Sequence, residues 1–370
     1  MRLNALSTGL ASLALAGCGH VADIPVEAAS GRAPQIVEPA ETLLPTFDVA
    51  PATGWPDGAA PVPAQDLAVT PFAVGLDHPR WLHVLPNGDV LVAESAAPPQ
   101  PELGKGIKGF FMKLFMKKAG SAVPSADRIT LLRDTDADGV ADLQTPFITG
   151  LNSPFGMALV GSDLYVANTD AVLRFRYETG ATSIVGSGET IAALPAGPYN
   201  QHWTRSLAVS PDNTKLYVAI GSASNIGEYG LEQEVGRAAI REIDLRTGAE
   251  RLFASGLRNP VGMAFEPESD RLWTAVNERD ELGSDVPPDY MTAVEEDGVY
   301  GWPYSYWGDH VDERVEPQRP DLVARALIPD YALGPHNASL GLAFTDPSNP
   351  APLGLQGAFV GQHGSWNRKP

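Results

Sequence analysis

Side chains that can carry charge or move protons recur in this chain just ahead of short apolar runs. In order they are Asp77-His78-Pro79-Arg80, Asn152-Ser153-Pro154, Gln201-His202-Trp203-Thr204-Arg205, Arg258-Asn259-Pro260 and His336-Asn337. Of the seven histidines, His78, His202, His336 and His363 fall in these leaders or in the late stretch GQHGSWNR, and Arg80, Arg205, Arg258 and Arg368 fall there too. Histidine titrates near neutrality and is suited to taking a proton from a hydroxyl. Arginines gathered near it, in a chain of formal net charge −19, point to a bound anion with more than one carboxylate or phosphate. The alternative, that each arginine only neutralises a nearby carboxylate, stays open for any one of them and weakens for the set.

The leaders need a frame that brings them together, and the runs behind them supply one. GLDHPRWLHVLPNGDVLVAE, GLNSPFGMALVGSDLYVAN, NQHWTRSLAVSPDNTKLYVAIGS, GLRNPVGMAFEPESDRLWTAVNE and HNASLGLAFTDP with GAFVGQHG share one grammar. A polar leader enters an apolar strand, a Pro/Asn/Asp/Gly turn follows, and a second apolar strand returns. Five such units about 50 to 80 residues apart predict a β-propeller, with the leaders at one end of the ring. Gly156, Gly262 and Gly341 are expected where inner strands crowd together.

Composition agrees with an all-β, turn-rich chain: 370 residues carry 37 Gly and 33 Pro against 19% charged residues. The acidic balance leaves no basic stripe to follow a phosphate backbone, so nucleic acid is not an expected partner. The one cysteine, Cys18, closes MRLNALSTGLASLALAGC, an Arg2-led apolar start of the export type. Leu15-Ala16-Gly17-Cys18 resembles the lipobox of bacterial lipoproteins, and the alternative is a plain secretory signal with a chance cysteine. The expected organisation is a signal at 1–18, a Pro/Ala-rich tether at 19–66 and a propeller from 67 to 370. That describes an exported protein, lipid-anchored to the bacterial cell envelope and facing the periplasm or the exterior.

HWTRSLAVSPDNTKLYVAIGS, GLRNPVGMAFEP, VNERDELGSD, YGWPYSYWG and GQHGSWNR resemble the soluble quinoprotein sugar dehydrogenases, in particular the sorbosone dehydrogenase branch, over about residues 67 to 370. The resemblance implies a six-bladed propeller that holds pyrroloquinoline quinone (PQQ) and Ca2+ at the top of the ring. With five leaders visible, it also implies that the last blade is missing or incomplete. It implies hydride transfer from an aldose or sugar aldehyde to PQQ, with His202 as base and with Arg258 and Asn259 at the quinone. Asn152, Arg205, His336 and Arg368 are further expected cofactor contacts. The main-chain oxygens of Glu278 and Arg279 are expected calcium ligands, although Asn277-Glu278-Arg279-Asp280 stands where glucose-oxidising relatives have Gly-Pro. Electrons would pass to an acceptor such as a c-type cytochrome or the quinone pool.

Two stretches have other readings. DTDADGVAD sets Asp134, Asp136 and Asp138 at the first, third and fifth places of an EF-hand-like loop with Gly139 sixth, but the twelfth place is Thr145. It is either a structural calcium loop in a hairpin or an acidic turn without an ion. GKGIKGFFMKLFMKK, 104–118, has apolar residues at helical spacing among lysines, which suits a helix packed on the ring, a membrane-surface helix or a dock for an electron acceptor. Two other function classes also remain. One is a calcium-dependent lactonase-type hydrolase using Glu94, Asn168 and Asn277, and the other is a propeller that only binds protein or glycan.

Overall fold

The computed structural model describes residues 19–40, 42, 46–56, 58–100, 105–348 and 354–369. Cys18 and the export signal lie outside the described residues. The rest is built almost wholly of antiparallel strands in consecutive sheets, the β-propeller arrangement.

Four blades are complete among the described residues. The first runs through Pro79–Val84, Val90–Glu94, Arg128–Arg133 and Leu143–Thr149. The second runs through Met157–Val160, Asp163–Ala167, Ala171–Arg176 and Glu189–Ala193. The third comprises Arg205–Val209, Lys215–Ile220, Ala239–Asp244 and Glu250–Ser255, with Gly298–Val299 added in parallel at its edge. The fourth comprises Pro260–Phe265, Leu272–Val276, Pro288–Ala293 and Tyr331–Pro335. A fifth sheet has two strands among the described residues, Ser339–Phe344 and Ala358–Gln362.

The second strands of the blades are the most apolar. Leu91, Val92, Leu164, Val166, Leu216, Val218 and Ile220 have no solvent contact. Burying each side chain of this size is worth about 1.5–3 kcal/mol, so the second strands anchor the ring.

The crowding expected at the glycines occurs at two of the three. A Cβ on Gly156 would lie 2.6 Å from the Leu207 nitrogen, and one on Gly262 would lie 2.4 Å from the Leu342 nitrogen, each on the inner strand of the following sheet. Gly341 differs, because the nearest atom to its Cβ would be 3.8 Å away. Leu82 and Val84, on the first blade's inner strand, are exposed at 63% and 64%.

The segment expected as a tether does not stand clear of the ring. Ser30–Gly31 pairs with the outer strand of the fourth blade. The Ala22 nitrogen donates to the Lys369 carbonyl oxygen (2.8 Å), that of Ala40 to Leu282 (3.0 Å) and that of Asp48 to Trp366 (2.7 Å). Composition hid this, because docking here uses main-chain groups, which any sequence carries. The insert of the first blade is a helix, Gly106–Lys118, between the second and third strands. Its Phe115 stacks on Phe47 at 5.2 Å, and Phe47 meets Trp366 at 5.5 Å.

Candidate active site

Strand register decides which residues meet. In the third blade Arg205 pairs with Ile220, so His202, ahead of the first strand, and Ser222, behind the second, emerge at one end. In the fourth blade Pro260 pairs with Val276 and brings Arg258-Asn259 beside Asn277–Asp280 in the same way. Since strands alternate in direction, the connection between second and third strands returns to this end. The connection between third and fourth strands lies at the other.

Gly221 joins the two leaders. A Cβ there would fall 2.3 Å from Asn259 Oδ1 and 2.5 Å from His202 Cβ, so only glycine fits between them. Asn259 is buried and its Oδ1 has no hydrogen-bond partner. His202 is half-buried, with Nδ1 3.0 Å from the Ser222 carbonyl oxygen and 2.9 Å from Ser222 Oγ. Burial first, and then the positive charge of Arg258, hold its pKa well below the ordinary 6.5, although Ser222 and Asp280 act the other way.

Arg258 is the hub of the fourth-blade side and is 2% exposed. It donates to the carbonyl oxygens of Glu278 (2.6 Å), Asn225 (3.2 Å) and Asn277 (3.2 Å). It also donates to Asn225 Oδ1 (2.8 Å), Asn277 Oδ1 (3.2 Å) and Asp280 Oδ2 (3.4 Å). Asp280 Oδ1 lies 3.5 Å from His336 Nδ1, while His336 Nε2 lies 2.9 Å from the Gly283 carbonyl oxygen. Burial opposes the charge of Asp280, but His336 and Arg258 outweigh it and hold the carboxyl below its usual range. Burial pushes the Glu278 carboxyl up to about 7. Arg279 forms a fully buried ion pair with Asp312.

Among the residues expected at the cofactor, His202, Arg258, Asn259 and His336 gather around Asp280 and Gly221. The others do not join them. Arg205 is fully buried and donates to the carbonyl oxygens of His202 (2.7 Å), Thr204 (2.9 Å) and Pro195 (2.7 Å) and to Asn200 Oδ1 (3.0 Å). It braces the His202 loop from below. Arg368 donates to Ser284 O (2.7 Å), Asp285 Oδ1 (3.2 Å) and Ile24 O (3.1 Å), so it fastens the N-terminal segment to the fourth blade. The Asn152 side chain is exposed, and His363 is exposed as well.

Three residues that the leaders could not reveal complete the site: Asn225, Asp280 and Ser222. Asn225 takes Arg258 on its side chain and on its main chain, and its carbonyl accepts from Trp302 Nε1 at 3.0 Å. All three follow the second strands of their blades, in IGSASN and VNERD, and that position was the available signal.

The implied groups fare differently. The unpartnered buried oxygen of Asn259 beside the half-buried His202 suits a polar ring system such as PQQ, while Arg258 is already ringed by six acceptors. The Glu278 carbonyl oxygen, an expected calcium ligand, accepts from the Arg258 guanidinium at 2.6 Å and keeps a second lone pair. The DTDADGVAD hairpin joins the third and fourth strands of the first blade, at the far end from the leaders. The carboxylates of Asp134, Asp136 and Asp138 have ligand atoms within 4.8 Å of one another, and repulsion from Asp138 raises the Asp136 carboxyl. Glu94, needed for a lactonase-type metal centre, is held by Arg128 (2.9 Å) and Thr130 and by the Asp77 amide.

Comparison with known proteins places the chain. It is 29% identical over 228 residues to an uncharacterized protein of Borreliella burgdorferi, covering 59% of each chain. It is 25% identical over 349 residues to the pyrroloquinoline quinone-dependent pyranose dehydrogenase of Coprinopsis cinerea, covering 83% of this chain and 43% of that one. The chain thus spans about half the length of the curated relatives it matches. In fold it resembles the holo form of the Coprinopsis cinerea pyranose dehydrogenase PQQ domain (TM-score 0.60, 21% identity, 81% of this chain and 74% of that one). It also resembles the calcium structure of the Trichoderma reesei family AA12 enzyme (TM-score 0.64, 19% identity, 88% and 80%). Residues 61–297 match the family model itself, and the chain belongs to the TrAA12-like family.

Proposed function

We propose that this chain is a quinoprotein oxidoreductase that oxidises an aldose or sugar aldehyde, with PQQ held by residues of the third- and fourth-blade leaders. The single observation that carries the reading is the close approach at Gly221 of His202, whose pKa is held well below 6.5, and the buried, unpartnered amide oxygen of Asn259. The relatives named as PQQ-dependent sugar and pyranose dehydrogenases support it.

His202 takes the proton from the substrate hydroxyl or hydrated aldehyde, a role that its depressed pKa suits because the ring stays neutral at working pH. Asn259 offers its unpartnered oxygen to the cofactor side, and Arg258, held by six acceptors, supplies positive charge there. Asp280 and His336 hold Arg258 in place from below. When bound, PQQ would supply the acceptor for the hydride that leaves the substrate carbon. A sorbosone-like substrate follows from the motif resemblance, and so do a c-type cytochrome or the quinone pool as electron acceptor and an anchor on Cys18 facing the periplasm. The hydrolase reading loses ground because Glu94 is neutralised by Arg128.

Reconstitution tests the reading. The protein is given PQQ, with and without calcium, and dye reduction is followed with aldoses and sugar aldehydes beside lactone hydrolysis without quinone. Quinone-dependent dye reduction is the expected result, and lactone hydrolysis without quinone would refute the proposal. Replacing Cys18 by Ser should move the protein from the membrane to the soluble fraction or leave its signal uncleaved.

A further inference from the structure

His202 is held through one ring nitrogen, and the atoms that hold it decide where its proton sits. Nδ1 lies 3.0 Å from the Ser222 carbonyl oxygen, which can only accept a hydrogen bond. It also lies 2.9 Å from Ser222 Oγ, a hydroxyl that can donate or accept. That choice is already made. The single Oγ proton goes to the Ser224 carbonyl oxygen at 2.6 Å, an atom with no proton to give back. Both neighbours of Nδ1 are therefore acceptors, and Nδ1 has to be the donor. In a neutral ring the free lone pair is then on Nε2.

The hydroxyl is itself held by a longer chain. Ser222 and Ser224 have no solvent contact. Ser224 Oγ donates to Glu234 Oε1 and accepts from the Gly227 nitrogen at 2.8 Å, while the Ala223 nitrogen donates to Glu234 Oε2 at 2.7 Å. Glu234 therefore clamps the loop at Ala223 and Ser224, directly behind Ser222. A rotation of Ser222 Oγ–H toward the ring would break the bond to Ser224 and leave a buried carbonyl oxygen without a donor.

We propose that Ser222, backed by Ser224 and Glu234, is a positioning residue that fixes His202 as the Nδ1–H tautomer and so presents Nε2 as the proton acceptor. Its catalytic meaning rests on the oxidoreductase reading above; the tautomer does not. The opposite tautomer would face a lone pair toward two other lone pairs, so the relay works by exclusion as much as by attraction.

Histidine-selective 15N labelling of the full chain tests this without any cofactor, with His202→Asn identifying the signal. The expected spectrum at neutral pH has a pyrrole-type Nδ1 and a pyridine-type Nε2 for His202. A pyridine-type Nδ1, or a doubly protonated ring, overturns the proposal in the unmodified chain and needs no variant. Ser222→Ala keeps the carbonyl acceptor, so the tautomer should become mixed rather than reverse. Turnover at saturating PQQ should fall about 3- to 10-fold, the worth of one hydrogen bond, at unchanged quinone affinity. A folded Ser222→Ala that keeps both the tautomer preference and full turnover also overturns it. If the spectrum is as expected but the unmodified chain oxidises no sugar with PQQ, the positioning stands and the oxidoreductase reading fails.

Discussion

The leaders of the second and fourth blades are close copies, GLNSPFGMALVG and GLRNPVGMAFEP, and the structure treats half of each copy alike. Gly156 and Gly262 both press against the inner strand of the following sheet. The carbonyl oxygen of Asn152 accepts from the Thr169 nitrogen at 3.0 Å, and that of Asn259 accepts from the Asn277 nitrogen at 3.1 Å. The side chains then part company. Asn152, in the place of Arg258, is exposed, whereas Arg258 is buried and enclosed by acceptors; Ser153 and its counterpart Asn259 are both buried, but Asn259 has an unpartnered oxygen. Main-chain contacts and small residues repeat because the blade requires them; polar side chains in the same slots are free to diverge, and chemistry sits where they have.

The largest expected effect sets two histidines of different leaders against each other. His202→Ala should lower turnover by roughly 10²- to 10⁴-fold, the usual worth of a general base, with quinone affinity nearly unchanged. His78→Ala, in the first-blade leader, should leave turnover within about 2-fold, since single hydrogen bonds away from the reaction matter little. Equal losses in steady-state assays would mean that the leaders are not functionally distinct.

The next contrast is between the arginine and the asparagine of the two copied leaders. Arg258→Ala removes a charged donor from the cofactor side and should weaken PQQ binding by about 10- to 100-fold, measured by titration, because hydrogen bonds to charged groups are worth about 1.5–3 kcal/mol. Asn152→Ala should leave affinity unchanged. Loss of binding in the asparagine variant would show that the second blade also reaches the cofactor.

A smaller effect tests the shared half. Gly156→Ala and Gly262→Ala each force a methyl group into main-chain atoms and should cost about 1–3 kcal/mol, seen as a Tm lowered by a few degrees. Gly341→Ala meets nothing closer than 3.8 Å and should be tolerated.

What the sequence made legible follows the same division. Strand pairs, turns, the common end of the leaders and two of the three crowded glycines could be read, because period-2 apolar runs and glycines answer to local geometry. His202, Arg258 and Asn259 were found as leader residues. An arginine that braces carbonyl oxygens, as Arg205 does, looks in sequence like one that awaits an anion. Ser222, Asn225 and Asp280 were not singled out, because their partners lie across loops whose course no periodicity encodes. The docking of residues 19–52 was invisible for a related reason, being made largely by main-chain hydrogen bonds.

The smallest expected effect is one of pH, and it separates His202 from an ordinary surface histidine. Burial, and then Arg258, lower its pKa in the folded state well below 6.5, while in the unfolded chain it titrates near that value. Just below pH 6.5 the unfolded chain therefore binds a proton that the folded chain refuses. Stability rises with pH wherever the unfolded state binds more protons, so this contribution is intact above 6.5 and erodes as the pH falls toward the folded value. His202→Ala removes the site from both states. Its stability, measured by denaturant unfolding between pH 7 and pH 5, should fall less steeply than that of the parent. The same shift places the acid limb of turnover below pH 6.5, since the base stays unprotonated there. A turnover midpoint at or above 6.5, or parallel stability slopes for parent and variant, would mean that the His202 ring is no more shielded than a solvated one.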